Sequence, residues 1–122
     1  MFEITVKKSF FASHKLLHYG PGEEGLHDHN WIIEAKFKSE TLDGAGCAID
    51  FRDIDRAFQE ILTPYQGSNL NETGAFSKIS PSAENIAKYI FEELAKQLKD
   101  KKAGLISVTA WEDECHGGTY RP

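Results

Sequence analysis

Between His27 and Phe37 every second residue is a histidine or an apolar side chain: His27, His29, Trp31, Ile33, Ala35 and Phe37. Residues two apart in an extended chain point to the same side, so this run reads as a β-strand with one face turned to a core. An upstream run has the same period, with Phe2, Ile4, Val6, Phe10, Ala12 and His14 sharing one parity. Tyr19-Gly20-Pro21-Gly22 supplies a turn between the two, and Asp43-Gly44-Ala45-Gly46 closes the second strand. Paired as a hairpin, the strands would bury one common face.

The pattern then changes to a helical one. A helix is expected from Asp50, with Phe51, Ile54, Phe58, Ile61, Leu62 and Tyr65 on one side and Pro64 at its end. A second is expected from Ser80 as cap, with Pro81 in the first turn and Glu84 facing the positive helix end. Its buried stripe is Ala83, Ile86, Ala87, Ile90, Phe91, Leu94 and Leu98. A strand follows from Leu105 to Glu112, and a short last one begins at Thr119-Tyr120. The order ββααββ predicts an α+β domain over residues 1–122: a four-stranded antiparallel sheet with two helices packed on one face.

Composition limits the functions such a domain can serve. The formal charge of −5 gives no general attraction for nucleic acid or an anionic membrane. An anionic substrate would need local groups, for which Lys7, Lys8, Lys15 and Arg52 are available. No apolar run approaches the roughly 20 residues of a membrane helix. MFEITVKKSFF lacks the layout of a secretion signal, so a cytoplasmic protein is expected. Two cysteines are too few for a disulfide scaffold. Cys47, beside Ala48 and Ile49, reads as a buried structural thiol.

Two features carry chemistry. His27 and His29 share a strand face, and His14 has the core-facing parity of its own strand, so a hairpin brings three imidazoles to one end of the sheet. Zinc accepts three histidines at about 2.0–2.1 Å and keeps a fourth position for water or substrate. The competing reading of a His-x-His pair is two surface histidines. Glu112 is the second feature, because it ends the apolar face of Ile106, Val108 and Ala110 with a carboxylate. Either the strand has emerged into solvent by residue 112, or the carboxylate accepts paired N–H groups of a heterocycle.

Phe11-Ala12-Ser13-His14 followed by Leu26-His27-Asp28-His29-Asn30 resembles the zinc motifs of the 6-pyruvoyl- and 6-carboxy-tetrahydropterin synthases. The resemblance continues through Ile49-Asp50-Phe51, Leu70-Asn71, Pro81-Ser82-Ala83-Glu84-Asn85 and Val108-Thr109-Ala110-Trp111-Glu112 to Tyr120. It implies the tunnelling fold, zinc on the three histidines and a small pterin substrate held by Glu112. It also implies a homohexamer of two stacked trimers with active sites between subunits.

The sequence departs from that family at three places. The family's catalytic cysteine, four residues before the His-x-His pair, is Glu23 here. Its Asp-His pair before Leu-Asn is replaced by Gln66 and Gly67, and Asp28 stands where glycine is usual. One branch of the family carries glutamate for the cysteine and cleaves the dihydroneopterin side chain, which makes Glu23 the candidate general base. The expectation is therefore a zinc-dependent lyase acting on a dihydropterin side chain. The alternative is a pterin- or purine-like binding protein that keeps zinc without synthase turnover. His18, Cys115 and His116 are the groups nearest in sequence that could substitute for the missing relay.

Overall fold

A computed structural model of the chain describes residues 1–22 and 25–122. Its first two strands, β1 (Phe2–His14) and β2 (His27–Ser39), form one long antiparallel pair. The register runs from Phe2 opposite Ser39 to His14 opposite His27. Even-numbered residues of β1 and odd-numbered residues of β2 therefore share a face. A slip by one residue would turn Trp31, Ile33, Ala35 and Phe37, all without exposed surface, out of the core.

Helix α1 (Phe51–Leu62) begins where expected, with the Asp50 carboxylate accepting from the Arg52 amide at 2.9 Å. It buries Ile54, Ala57, Phe58, Ile61 and Leu62. Phe51, at its first position, stays 59% exposed, so the buried stripe starts one turn later than its spacing suggests. Helix α2 (Ala83–Gln97) buries the predicted stripe, but its cap is Ser82, whose side chain accepts from the Asn85 amide at 3.1 Å. Ser80 instead accepts from the Leu17 amide at 2.9 Å, tying the loop after β1 to the segment before α2. Pro81 thus precedes the helix.

The sheet differs from the expectation in size and sense. It has five strands in the order β3-β1-β2-β4-β5, adding β4 (Gly104–Trp111) and β5 (Gly117–Tyr120) on one side. The extra strand β3 (Ser68–Asn69) lies between the helices in sequence and runs parallel to Ala12–Ser13. Its flank is clipped to β1: the Phe11 amide donates to Gln66 Oε1 at 3.2 Å, and the Gly67 amide donates to the Phe11 carbonyl at 2.6 Å. Two residues carry no periodicity, which is why this strand has no signature. In β4, Ile106 has no partner on β2, because the register shifts there. It is a bulge residue, half-buried, and not a member of the core face.

Both helices cover the inner face, α2 on β4 and β5, and α1 beside β1 and α2. Gly117 and Gly118 belong to β5, where they permit close packing: a Cβ on Gly117 would stand 2.7 Å from the Trp111 ring. Cys47, expected to be buried, is exposed, because its backbone closes a turn with Asp43 on the surface. No helix among the described residues is long and apolar enough to cross a membrane.

Candidate metal centre

The strand register alone brings the three histidines together. His14 lies opposite His27, and His29 lies opposite Ala12, one step along the same face. One ring nitrogen from each of His14, His27 and His29 falls within 4.8 Å of the others. Trp31 is the next inward residue of β2. Its fully buried ring stands edge-on to His14 at 4.9 Å and His29 at 5.3 Å between centroids, forming the floor of the cluster.

Backbone carbonyls set which nitrogens face the centre. His14 Nδ1 lies 2.7 Å from the Pro81 carbonyl, and His27 Nδ1 lies 2.7 Å from the Gly25 carbonyl. A carbonyl only accepts, so in each ring Nδ1 carries the hydrogen and Nε2 keeps its lone pair. Those two Nε2 atoms face each other at 3.1 Å. Burial holds the His14 imidazole below its ordinary pKa, against the weaker upward pull of the Pro81 carbonyl and Glu112. His29 Nε2 is buried without a hydrogen-bond partner. Three ring nitrogens within 4.8 Å of one another, with His29 Nε2 left unpartnered, form a set that a cation satisfies. The backbone bonds from the far side of two rings are the orienting contacts such ligands usually have.

Glu112, the residue just after β4, comes to the same place. Its Oε1 is 3.6 Å from His14 Nε2, and its side chain is 28% exposed. It has not emerged fully into solvent, and among the described residues its side chain has no hydrogen-bonded partner. The Glu112 amide donates to the His116 carbonyl at 2.9 Å, closing the turn between β4 and β5. Glu112 also borders an open groove of about 620 Å³ whose other lining, with Trp111, Asn30, Ile32 and Lys7, belongs to the opposite face of the sheet from the histidines. A cavity of about 720 Å³ lies near Phe2 and Ile4, at the opposite end of β1 from His14, and belongs to no such cluster.

The remaining sequence candidates are distributed as follows. Glu23 lies outside the described residues. Gln66 and Gly67, at the places of the family's Asp-His pair, are engaged with the edge of β1 as described. His116 is exposed and bonds Asp113, its Nδ1 2.9 Å from Asp113 Oδ1; Cys115 and His18 are exposed as well. Two contributors had no sequence signal: the Pro81 carbonyl, because any residue has one, and the Gly25 carbonyl. Asn71 was visible as a motif, and its role is a clip, accepting from the Lys15 amide at 2.8 Å and donating to the Lys15 carbonyl at 2.9 Å just beyond His14.

Sheet, helices and histidine cluster together define a small α+β protein of the tunnelling-fold type. The chain belongs to the 6-pyruvoyl tetrahydropterin synthase family, whose model matches residues 3–122. The solved 6-pyruvoyl tetrahydropterin synthase of Caenorhabditis elegans is 23% identical with a TM-score of 0.82, the match covering 100% of this chain and 97% of that one. A catalytic-residue variant of the Plasmodium vivax 6-pyruvoyltetrahydropterin synthase, glutamate changed to cysteine, is 17% identical with a TM-score of 0.79. That match covers 99% of this chain and 97% of that one. A protein of Wolinella succinogenes is 13% identical with a TM-score of 0.81, covering 98% and 97%. At such identities the likeness establishes the fold. No curated protein matches the chain.

Proposed function

We propose that the protein is a zinc-dependent lyase that acts on the side chain of 7,8-dihydroneopterin, its triphosphate or a related dihydropterin. The observation that carries this reading is the cluster of three ring nitrogens within 4.8 Å of one another, in which His14 Nε2 and His27 Nε2 stand 3.1 Å apart and His29 Nε2 has no partner. Among protein-bound ions, zinc suits three neutral imidazoles with an open fourth position. When bound, the ion supplies Lewis acidity to a hydroxyl or carbonyl of the substrate side chain.

The chain's own residues do the rest. Glu112 accepts two parallel N–H bonds from the pyrimidine edge of the pterin, a charge-assisted pairing that fixes the ring's orientation. Glu23 takes the proton from the side chain as general base. The Plasmodium vivax protein, in which a glutamate is the catalytic residue, supports that assignment. We read the assembly as a homohexamer of two trimers. The outer edge of β1 from Phe2 to Phe10 pairs with no strand among the described residues, and such an edge invites pairing with another chain.

A second reading is favoured by one observation. Gln66 and Gly67 clip the edge of β1, so the places of the family's Asp-His pair serve structure here, as expected of a pterin binder without synthase turnover. Incubation of zinc-loaded protein with dihydroneopterin triphosphate, followed by mass spectrometry, separates the two. A new pterin product that disappears in Glu23→Ala supports the lyase. Unchanged ligand retained on the protein supports the binder, and neither product nor retained pterin overturns both.

A further inference from the structure

We propose that Asn85 is a positioning residue of the metal site: its side chain holds the Ser80–Pro81 segment in place, and the Pro81 carbonyl then fixes the His14 ring. This rests on the metal reading above and adds to it a residue that acts only through others.

His14 depends on a contact from far along the chain. Its Nδ1 lies 2.7 Å from the Pro81 carbonyl, in a ring that is 1% exposed. That bond needs only a hydrogen on Nδ1, which the ring carries there whatever its charge. The register of β1 on β2 places the His14 backbone but does not set its side-chain torsions. The direction of the ring is therefore decided by where the carbonyl of residue 81 stands.

The segment Ser80-Pro81-Ser82-Ala83-Glu84-Asn85 gives that carbonyl a fixed seat. Ser82, the cap of α2, is extended at φ −73° and ψ 161°, so the chain leaves the helical path just before the helix. In a helix continued backward, the Asn85 amide would bond the Pro81 carbonyl four residues earlier. Here the Ser82 hydroxyl accepts that amide at 3.1 Å, and the Pro81 carbonyl serves His14. The Asn85 side chain makes the further contact, its Nδ2 donating to the Ser80 carbonyl at 2.9 Å. From the other side, Ser80 Oγ accepts from the Leu17 amide at 2.9 Å, a short way beyond His14. Ser80 is thus gripped both from α2 and from the chain leaving β1. Pro81 follows with a locked φ, no N–H of its own to satisfy, and a fully buried ring.

The consequence is a coupling between the start of α2 and the metal. Contacts behind a ligand of this kind change metal affinity by about 10–100-fold when they are removed. The line of contacts runs from the Asn85 side chain through Ser80 and Pro81 to the His14 ring. Coupling between two sites is reciprocal, so a segment that favours the ion is in turn held by it.

Zinc affinity, read by competition with a chromophoric chelator, is compared in unmodified protein, Asn85→Ala and Ile90→Val, each checked for folding by circular dichroism. Ile90 is a core residue of the same helix, 2% exposed, so its truncation loosens α2 and leaves the Ser80–Pro81 contacts intact. Asn85→Ala is expected to bind zinc more weakly by about tenfold or more, and Ile90→Val as tightly as unmodified protein. Equal affinity in Asn85→Ala and unmodified protein, or an equal loss in Ile90→Val, would overturn the proposal and leave the three-histidine site standing. A second measurement needs no substitution. Zinc loading of unmodified protein should slow amide hydrogen exchange at Leu17 and Asn85 by about tenfold or more, and unchanged exchange at both refutes the coupling. No zinc uptake by unmodified protein would overturn the metal reading and this proposal together.

Discussion

If the histidine cluster holds zinc, the ion must contribute to folding stability, and His29 is the position that tests this most directly. Its Nε2 is buried with no partner, a situation that costs about 1–3 kcal/mol for a polar group left unpaired. An ion that binds the folded chain alone adds about 2.7 kcal/mol at a free concentration one hundred times its dissociation constant. Unfolding entropy of about 2.1 cal/mol/K per residue, over 122 residues, amounts to about 0.26 kcal/mol/K. Saturating zinc should therefore raise the melting temperature by about 10 °C over chelator-treated protein. Removing one ligand in His29→Ala, with affinity lowered about a hundredfold, brings the same zinc concentration near the new dissociation constant. The stabilisation then falls to about 0.4 kcal/mol, or about 1–2 °C. Differential scanning calorimetry with and without chelator measures both. His116→Ala, which alters an exposed histidine outside the cluster, should keep the full rise. An equal rise in unmodified protein and His29→Ala would refute the reasoning, because the ion would then be acting elsewhere.

Three further outcomes are expected. In zinc-saturated protein, Glu112→Gln should weaken pterin binding by at least about tenfold, or about 1.4 kcal/mol, by calorimetric titration; unchanged affinity places the ring elsewhere. Gly117→Ala should destabilise by about 1–3 kcal/mol in chemical unfolding, because its Cβ would meet the Trp111 ring at 2.7 Å while that indole N–H is held by Glu34 Oε1 at 3.1 Å. The Asp113 carboxyl is held below its ordinary pKa by the Cys115 amide first and then by the His116 side chain. Its contribution is therefore present above the unfolded value near 3.8 and lost as pH falls through the lowered one. Amide exchange at Cys115 and His116 should speed up in that acid range and no longer show this step in Asp113→Ala.

Much of the site follows from local rules that a sequence displays. Two-residue alternation assigns parity to β1 and β2, and a buried face leaves only registers that match even residues with odd ones. His14, His27 and His29 are on the shared face for that reason, at the one end where the strands join. The Asp50 cap and the α2 stripe are equally local, since each depends on residues within a turn or two. Other features depend on atoms far apart in the chain, and no periodicity marks them. The Pro81 carbonyl that fixes the His14 tautomer lies 67 residues away, and the clip from Gln66 to Phe11 spans 55. β3 is two residues long and exists because β1 offers it an edge. The Ile106 bulge is a register shift in the pairing of β4 with β2, which no local pattern around the isoleucine marks. Cys47 looked apolar from its neighbours, yet a turn about Asp43 leaves it at the surface. Glu112 shows the division most clearly. Alternation along β4 marks it as a carboxylate at the end of an apolar face, while only the packing of β4 beside β2 brings it to 3.6 Å from His14 Nε2.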